Sequence, residues 1–286
     1  MESIKLENVC KQYKDFALRD VSFTVPTGSI MGLIGENGAG KTTTIKLILN
    51  MIKRDAGSIR VLGMDNLEYE REVKSQVGVV LDRVSFNEQL KLKEAAAIMR
   101  AIFRGSWDDA LFNEYAEKFQ LPQDKKIKAF SRGMGMKLSI AAALSHRPKL
   151  LILDEATSGL DPIIRSEILD EFLDFIQDEE HSVLISSHIT SDLEKVADYI
   201  TFIHDGRVAM SESKDKMLYE YGILKCGEEL FQKVDKKDIA GYRKSSFGIE
   251  ALVCDRESAA RKYEGAVIDS ATLEDIMLFT VKGGQK

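Results

Sequence analysis

Four short runs of the chain are apolar at almost every position: SIMGLIG (29–35), VGVVL (77–81), KLLILDE (149–155) and SVLISSH (182–188). Runs of that length without alternation suit strands covered on both faces, as in a parallel sheet. Between them the spacing changes to that of helices. After Pro162, a residue suited to the first turn of a helix, Ile164, Ile168, Phe172, Phe175 and Ile176 share one face. Strands alternating with helices predict an α/β domain on a parallel sheet. Residues 86–146 are helical in pattern with no comparable strand, which predicts an inserted helical subdomain.

Near residue 213 the pattern weakens into short alternating stretches such as GIEALVCD (248–255). Thr272 and Asp275 have capping-box spacing ahead of Leu273, Ile276, Met277 and Phe279, which predicts a final helix. The expected organisation is a main domain over 1–212, with its helical subdomain at about 86–146. A small α+β appendage follows over 213–286.

Composition changes the picture little. With 286 residues and 44% hydrophobic positions the chain can bury a large core and a small one. Its formal charge of −6 argues against nucleic acid as the main partner. No window approaches the roughly 20 apolar residues of a membrane span. Cys10, Cys226 and Cys254 are far apart, odd in number and outside any CxxC pattern. They read as reduced thiols, neither a disulfide frame nor a zinc site.

The chemistry starts at GENGAGKT (35–42), which matches G-x-x-x-x-G-K-[ST] between an apolar strand and the helical TTTIKLILNMI. That context is what a phosphate-binding loop requires. Gly35, Glu36, Asn37, Gly38, Ala39, Gly40, Lys41, Thr42 and Thr43 are the candidate nucleotide-binding residues. Main-chain amides at a helix N-terminus would cradle the phosphates, and Lys41 would bring a point charge to the β/γ-phosphates. The Thr42 hydroxyl would ligate Mg²⁺. In LLILDEATSGLDP (150–162), Asp154 ends a buried run and would hold Mg²⁺ through water. Glu155 beside it would act as general base toward the attacking water.

With these motifs in this order, residues 3–212 resemble the nucleotide-binding domain of ABC transporters, a P-loop NTPase fold. FSRGM (130–134) is similar to that family's signature LSGGQ, with Arg132 in place of a glycine and Met134 in place of the glutamine. The resemblance implies that two domains pair head to tail and that Ser131, Arg132, Gly133 and Met134 close over the neighbour's ATP. The alternative for Gly133 and Gly135 is a plain sharp helix entry with Ser131 as cap. The same resemblance makes Tyr13 the aromatic that stacks on adenine, Asp161 of SGLDP the D-loop aspartate, and His188 the switch histidine touching the γ-phosphate. Lys41, Glu155 and His188 are then the catalytic set. Asp82 stands where the family carries a glutamine and would still offer the metal an oxygen. An acid there resembles single-domain subunits of exporters. His146, His181 and His204 match none of the motifs and read as structural or solvated.

The resemblance implies an ATPase using ATP and Mg²⁺. It would work as a homodimer, or with a homologous subunit, at the inner face of the cell membrane. There it would power transport, export above import, through a separate permease met by the subdomain that RVSFNEQLKL (83–92) begins. A soluble ABC-type ATPase acting on ribosomes or DNA is the alternative, but such relatives usually join two nucleotide domains or insert long coiled coils. A GTPase is weaker still, because no N-K-x-D motif is present.

Overall fold

The four apolar runs become neighbouring parallel strands. In the computed structural model, which describes residues 1–83, 85–245 and 248–282, they are β3 (Ile30–Ile34), β6 (Val77–Val80), β7 (Leu150–Asp154) and β8 (Ser182–Ser187). Val84 of the RVSFNEQLKL stretch, Ser246 and Phe247 of the appendage, and residues 283–286 lie outside the described residues. With β9 (Tyr199–His204) and β10 (Arg207–Ser213) they form a six-stranded sheet in the order β10-β9-β3-β8-β7-β6. Within it β10 runs antiparallel to its neighbour and the other pairings are parallel.

Each central strand feeds two cores. Met31, Leu33, Leu150 and Ile152 point to one side; Ile30, Ile34, Leu151 and Leu153 point to the other. The first side is closed by α1 (Lys41–Ile48) and by a second, antiparallel sheet. That sheet is β1 (Glu2–Gln12), β2 (Ala17–Pro26), β4 (Ala56–Val61) and β5 (Met64–Asp65) in the order β2-β1-β4-β5. Alternation places Ile4, Leu6, Val21, Phe23 and Val25 inward, the half-buried pattern of a sheet with one wet face. The short α2 (Glu70–Ser75) leads into β6.

The expected helical insertion lies between β6 and β7. It contains α3 (Leu92–Ile102), α4 (Asp109–Lys118), a 3-10 turn at Ile127–Ala129 and α5 (Arg132–Leu144), and its described residues carry no strand beyond an isolated bridge from Lys91 to Lys126. Helix α5 packs on β6, and α6 (Pro162–Phe175) buries Ile168 and Phe172 completely. Helix α7 (Thr190–Val196) follows β8.

After β10 come α8 (Lys214–Glu220), β11 (Gly222–Cys226), α9 (Glu228–Phe231), β12 (Ile239–Ser245) and β13 (Gly248–Val253). The chain continues through α10 (Arg256–Lys262) and β14 (Val267–Ser270) to α11 (Leu273–Lys282). The strands form a four-stranded antiparallel sheet in the order β12-β13-β11-β14. One face, with Leu224, Ala251 and Val253, holds a small core of its own. The other turns Ile223 and Leu252 into the main core beside Leu273, Ile276 and Phe279. The capping box at the head of α11 is formed in both directions, Thr272 N–H to Asp275 Oδ2 and Asp275 N–H to Thr272 Oγ1, each 3.1 Å.

Candidate active site

From the end of β3 the chain turns through residues 35–40 into α1, whose N-cap is Gly40. Gly40 has φ +118, and a Cβ there would stand 2.5 Å from Leu18 Cδ2 and 3.1 Å from Phe16 Cζ, so conformation and packing both require glycine. Among the described residues no side chain caps α1, which leaves its first N–H groups to the concave loop. An uncapped helix start behind a glycine loop fits a polyphosphate.

Lys41 is 5% exposed although it carries a charge. Its Nζ donates to the carbonyls of Gly35 at 2.8 Å and Glu36 at 3.3 Å, and lies 3.3 Å from Glu155 Oε1. The Thr42 hydroxyl donates to Asp154 Oδ1 at 3.2 Å, and the Ser186 hydroxyl donates to the same oxygen at 2.6 Å. An alcohol and a carboxylate side by side suit Mg²⁺, which prefers one or two protein oxygens completed by phosphates and water. Among the described residues no group of three or more His, Cys, Asp and Glu could hold a metal alone.

Glu155 is a non-glycine residue at φ +54, a conformation that needs support from its surroundings. Ser186 on β8 supplies it: the Glu155 N–H donates to the Ser186 carbonyl and hydroxyl, both at 3.1 Å. The carboxylate then points back across the cleft, where His188 Nδ1 lies 2.6 Å from Oε2. Ser186 thus orients both acids, a role that no motif of the sequence reveals. The repeated serine in LISSH, two residues before His188, is its one visible trace.

A cleft of about 660 Å³ gathers Phe16, Asn37, Gly38, Gly40, Lys41, Thr42, Thr43, Asp82, Arg132, Glu155 and His188. Asp82 is exposed, 3.9 Å from Arg83 Nε. Tyr13 is half-exposed on the turn after β1, with Lys11 Nζ 5.8 Å from its ring centre, and Phe16, three residues on, lines the cleft.

Ser131 is the N-cap of α5, its Oγ accepting the Met134 N–H at 3.2 Å. Gly133 is buried, and a Cβ there would stand 2.6 Å from Ile164 Cδ1 of α6. The close approach expected from a neighbouring subunit is therefore also demanded within the chain. The Arg132 guanidinium covers Gly159 in the turn between β7 and α6. Asp161 caps α6, Oδ1 accepting from Ile163 at 3.1 Å and Ile164 at 3.0 Å. His146, read from the sequence as structural or solvated, is buried and stacked on Phe103 with ring centres 3.9 Å apart, a structural role.

The family model described as ABC transporter matches residues 18–158. The bacitracin transport ATP-binding protein BcrA of Enterococcus faecalis is 36% identical over 208 residues, covering 72% of this chain and 67% of BcrA. The chain belongs to the family of ABC transporter ATP-binding proteins. The lantibiotic transport ATP-binding protein SrtF of Streptococcus pyogenes is 34% identical over 74% of this chain and 91% of SrtF. A solved ATP-binding subunit of an ABC transporter superposes with a TM-score of 0.66 at 27% identity, covering 75% of this chain and 91% of that one. As an ABC ATPase the chain binds and hydrolyses ATP. Among its described residues no helix is long and apolar enough to cross a membrane.

Proposed function

We propose that this ABC ATPase powers export by a separate membrane permease, closing as a head-to-tail pair on two ATP molecules and reopening on hydrolysis. Glu155 held between Lys41 and His188 beside the Thr42–Asp154 pair carries the reading. Lys41 would follow the phosphates, leaving Glu155 to take a proton from the attacking water while His188 holds the carboxylate in line. Mg²⁺, held by Thr42 and Asp154 and approached by Asp82, would neutralise the charge of the phosphate oxygens. Tyr13 would stack on the adenine. Ser131, Arg132, Gly133 and Met134 would meet the neighbour's nucleotide, with Asp161 between the two sites. Work would come from ATP binding the closed pair more tightly than the open one.

The cargo-carrying partner would dock at the helical insertion. A cavity of about 950 Å³ opens there, lined by Val77, Val80, Phe86, Ile98, Met99 and Ile102, which suits an apolar helical segment. Such docking would hold the chain at the inner face of the membrane. The relatives named above are transport ATP-binding proteins for bacitracin and lantibiotics, which favours peptide antibiotics as cargo. The division into 1–212 and 213–286 belongs to the same proposal, supported by the separate sheet and small core of the second segment. Purification of tagged chain from membranes tests it: a multi-span protein should copurify, and ATPase activity should rise when the pair is restored in vesicles. Recovery with ribosomes instead would overturn the transport reading.

A further inference from the structure

Helix α7 begins two residues after His188 and is gripped on two sides by groups that the ATPase reading does not use. On one side, Asp192 is 1% exposed and faces Arg165 of α6, Oδ1 to Nη1 at 3.7 Å. The same guanidinium donates from Nη2 to the carbonyl of Leu160 in the D-loop at 3.2 Å. Among the described residues Asp192 Oδ2 and Arg165 Nε are buried with no hydrogen-bond partner. A long ion pair whose acid is buried and half-satisfied, against a half-buried guanidinium, is costly where it stands, and a small shift of α7 or of the D-loop would tighten it.

On the other side, Glu194 reaches the C-terminal segment. Its Oε1 accepts the Leu273 N–H at the start of α11 at 2.8 Å, where the helix dipole favours an anion. Its backbone carbonyl accepts from Lys214 Nζ at 2.9 Å. Leu193, Val196 and Ala197 are buried in one core with Leu273, Ile276 and Phe279. Helix α7 is thus a strut that meets Arg165, and through it the carbonyl of Leu160, at one contact, α11 at another, with the switch histidine at its head.

We propose that α7 is a positioning element for turnover, through which Asp192 and Glu194 let the C-terminal segment set the D-loop and His188. The proposal rests on the reading of Glu155 and His188 as the turnover pair. Residues 213–286 thereby acquire a role in regulation. Any partner or modification that shifts α11 would change the rate of hydrolysis and leave nucleotide affinity alone.

The test uses the full chain with Mg-ATP, at a temperature where circular dichroism shows every variant folded. Glu194→Ala should lower kcat three- to tenfold with KM and analogue binding within twofold. Glu194→Gln, whose amide oxygen still accepts the Leu273 N–H, should recover most of that loss. Arg165→Lys keeps a charge toward Asp192 but loses the fork to Leu160, and should lower kcat similarly. The double variant should lose less than the product of the two single losses. Parental kcat in Glu194→Ala, or losses that multiply independently, would overturn the proposal. His188→Ala distinguishes the two layers. If it turns over at the parental rate, the reading of the site fails; if it is inactive while Glu194→Ala is not, only the strut fails.

Discussion

His188 and Glu155 meet across the cleft with Nδ1 and Oε2 2.6 Å apart, and Lys41 stands 3.3 Å from the carboxylate's other oxygen. The carboxylate proposed as general base is thus held by a cation on one side and an imidazole on the other. It also sits on a backbone kink that Ser186 supports. A group so constrained is placed for a single purpose. Glu155→Gln should retain ATP binding, lower turnover by about 100-fold or more and trap the closed pair. Single-turnover ATPase and light scattering check it; hydrolysis at the parental rate would remove Glu155 from its role.

Ser131 separates two explanations for the same helix start. Within the chain it is a cap for α5, and losing such a cap costs about 1 kcal/mol. Across a pair it would meet the neighbour's phosphate. Ser131→Arg should therefore lower the melting temperature modestly, spare analogue binding to dilute chain, and abolish turnover. Isothermal titration beside steady-state kinetics reads both effects. A lowered melting temperature with parental turnover would leave the cap alone as its role.

What the sequence displays depends on what holds a residue in its position. The runs that form β3, β6, β7 and β8 are plain because both faces of each are covered. The antiparallel sheet is hidden because register shifts between Leu6 and Val9 break the alternation of β1. The phosphate loop can be read from adjacent residues, and so can the acids at the end of β7. Ser186 cannot, since its bond to Asp154 spans 32 positions, and neither can the reach of Glu194 to Leu273 across 79. A glycine is the subtler case. Gly133 looks like a contact for a ligand and is also a contact for Ile164.

Acid should find a weak point at His146. The ring is 1% exposed, both its nitrogens are buried without a well-aligned hydrogen bond among the described residues, and burial outweighs the nearby backbone of Val77, Ala142 and Ala143 to push its pKa down to about 4 from 6.5. Between those values the unfolded chain holds the proton more tightly, so stability present above pH 6.5 is lost as pH falls toward 4. The full difference approaches about 3 kcal/mol. His146→Phe keeps a ring against Phe103 and removes the titration. Denaturant midpoints at about pH 7.5 and pH 4.5, on either side of most of that titration, should fall less in the variant than in the parent. Equal falls would show that the imidazole is solvated.

Gly133→Ala tests why that position carries no side chain. The new methyl would stand 2.6 Å from Ile164 Cδ1, so the chain must strain or part, an overpacking cost of about 1–3 kcal/mol. Up to about 1 kcal/mol of this is returned by alanine's better helix propensity. Ile164→Val in the same chain removes the colliding methyl and should restore the denaturation midpoint. Turnover then decides between the two demands. If the double variant regains stability and full activity, the glycine serves the packing of α5 on α6. If it regains stability and stays slow while dilute chain still binds the analogue, the bare backbone is needed by the second subunit's nucleotide.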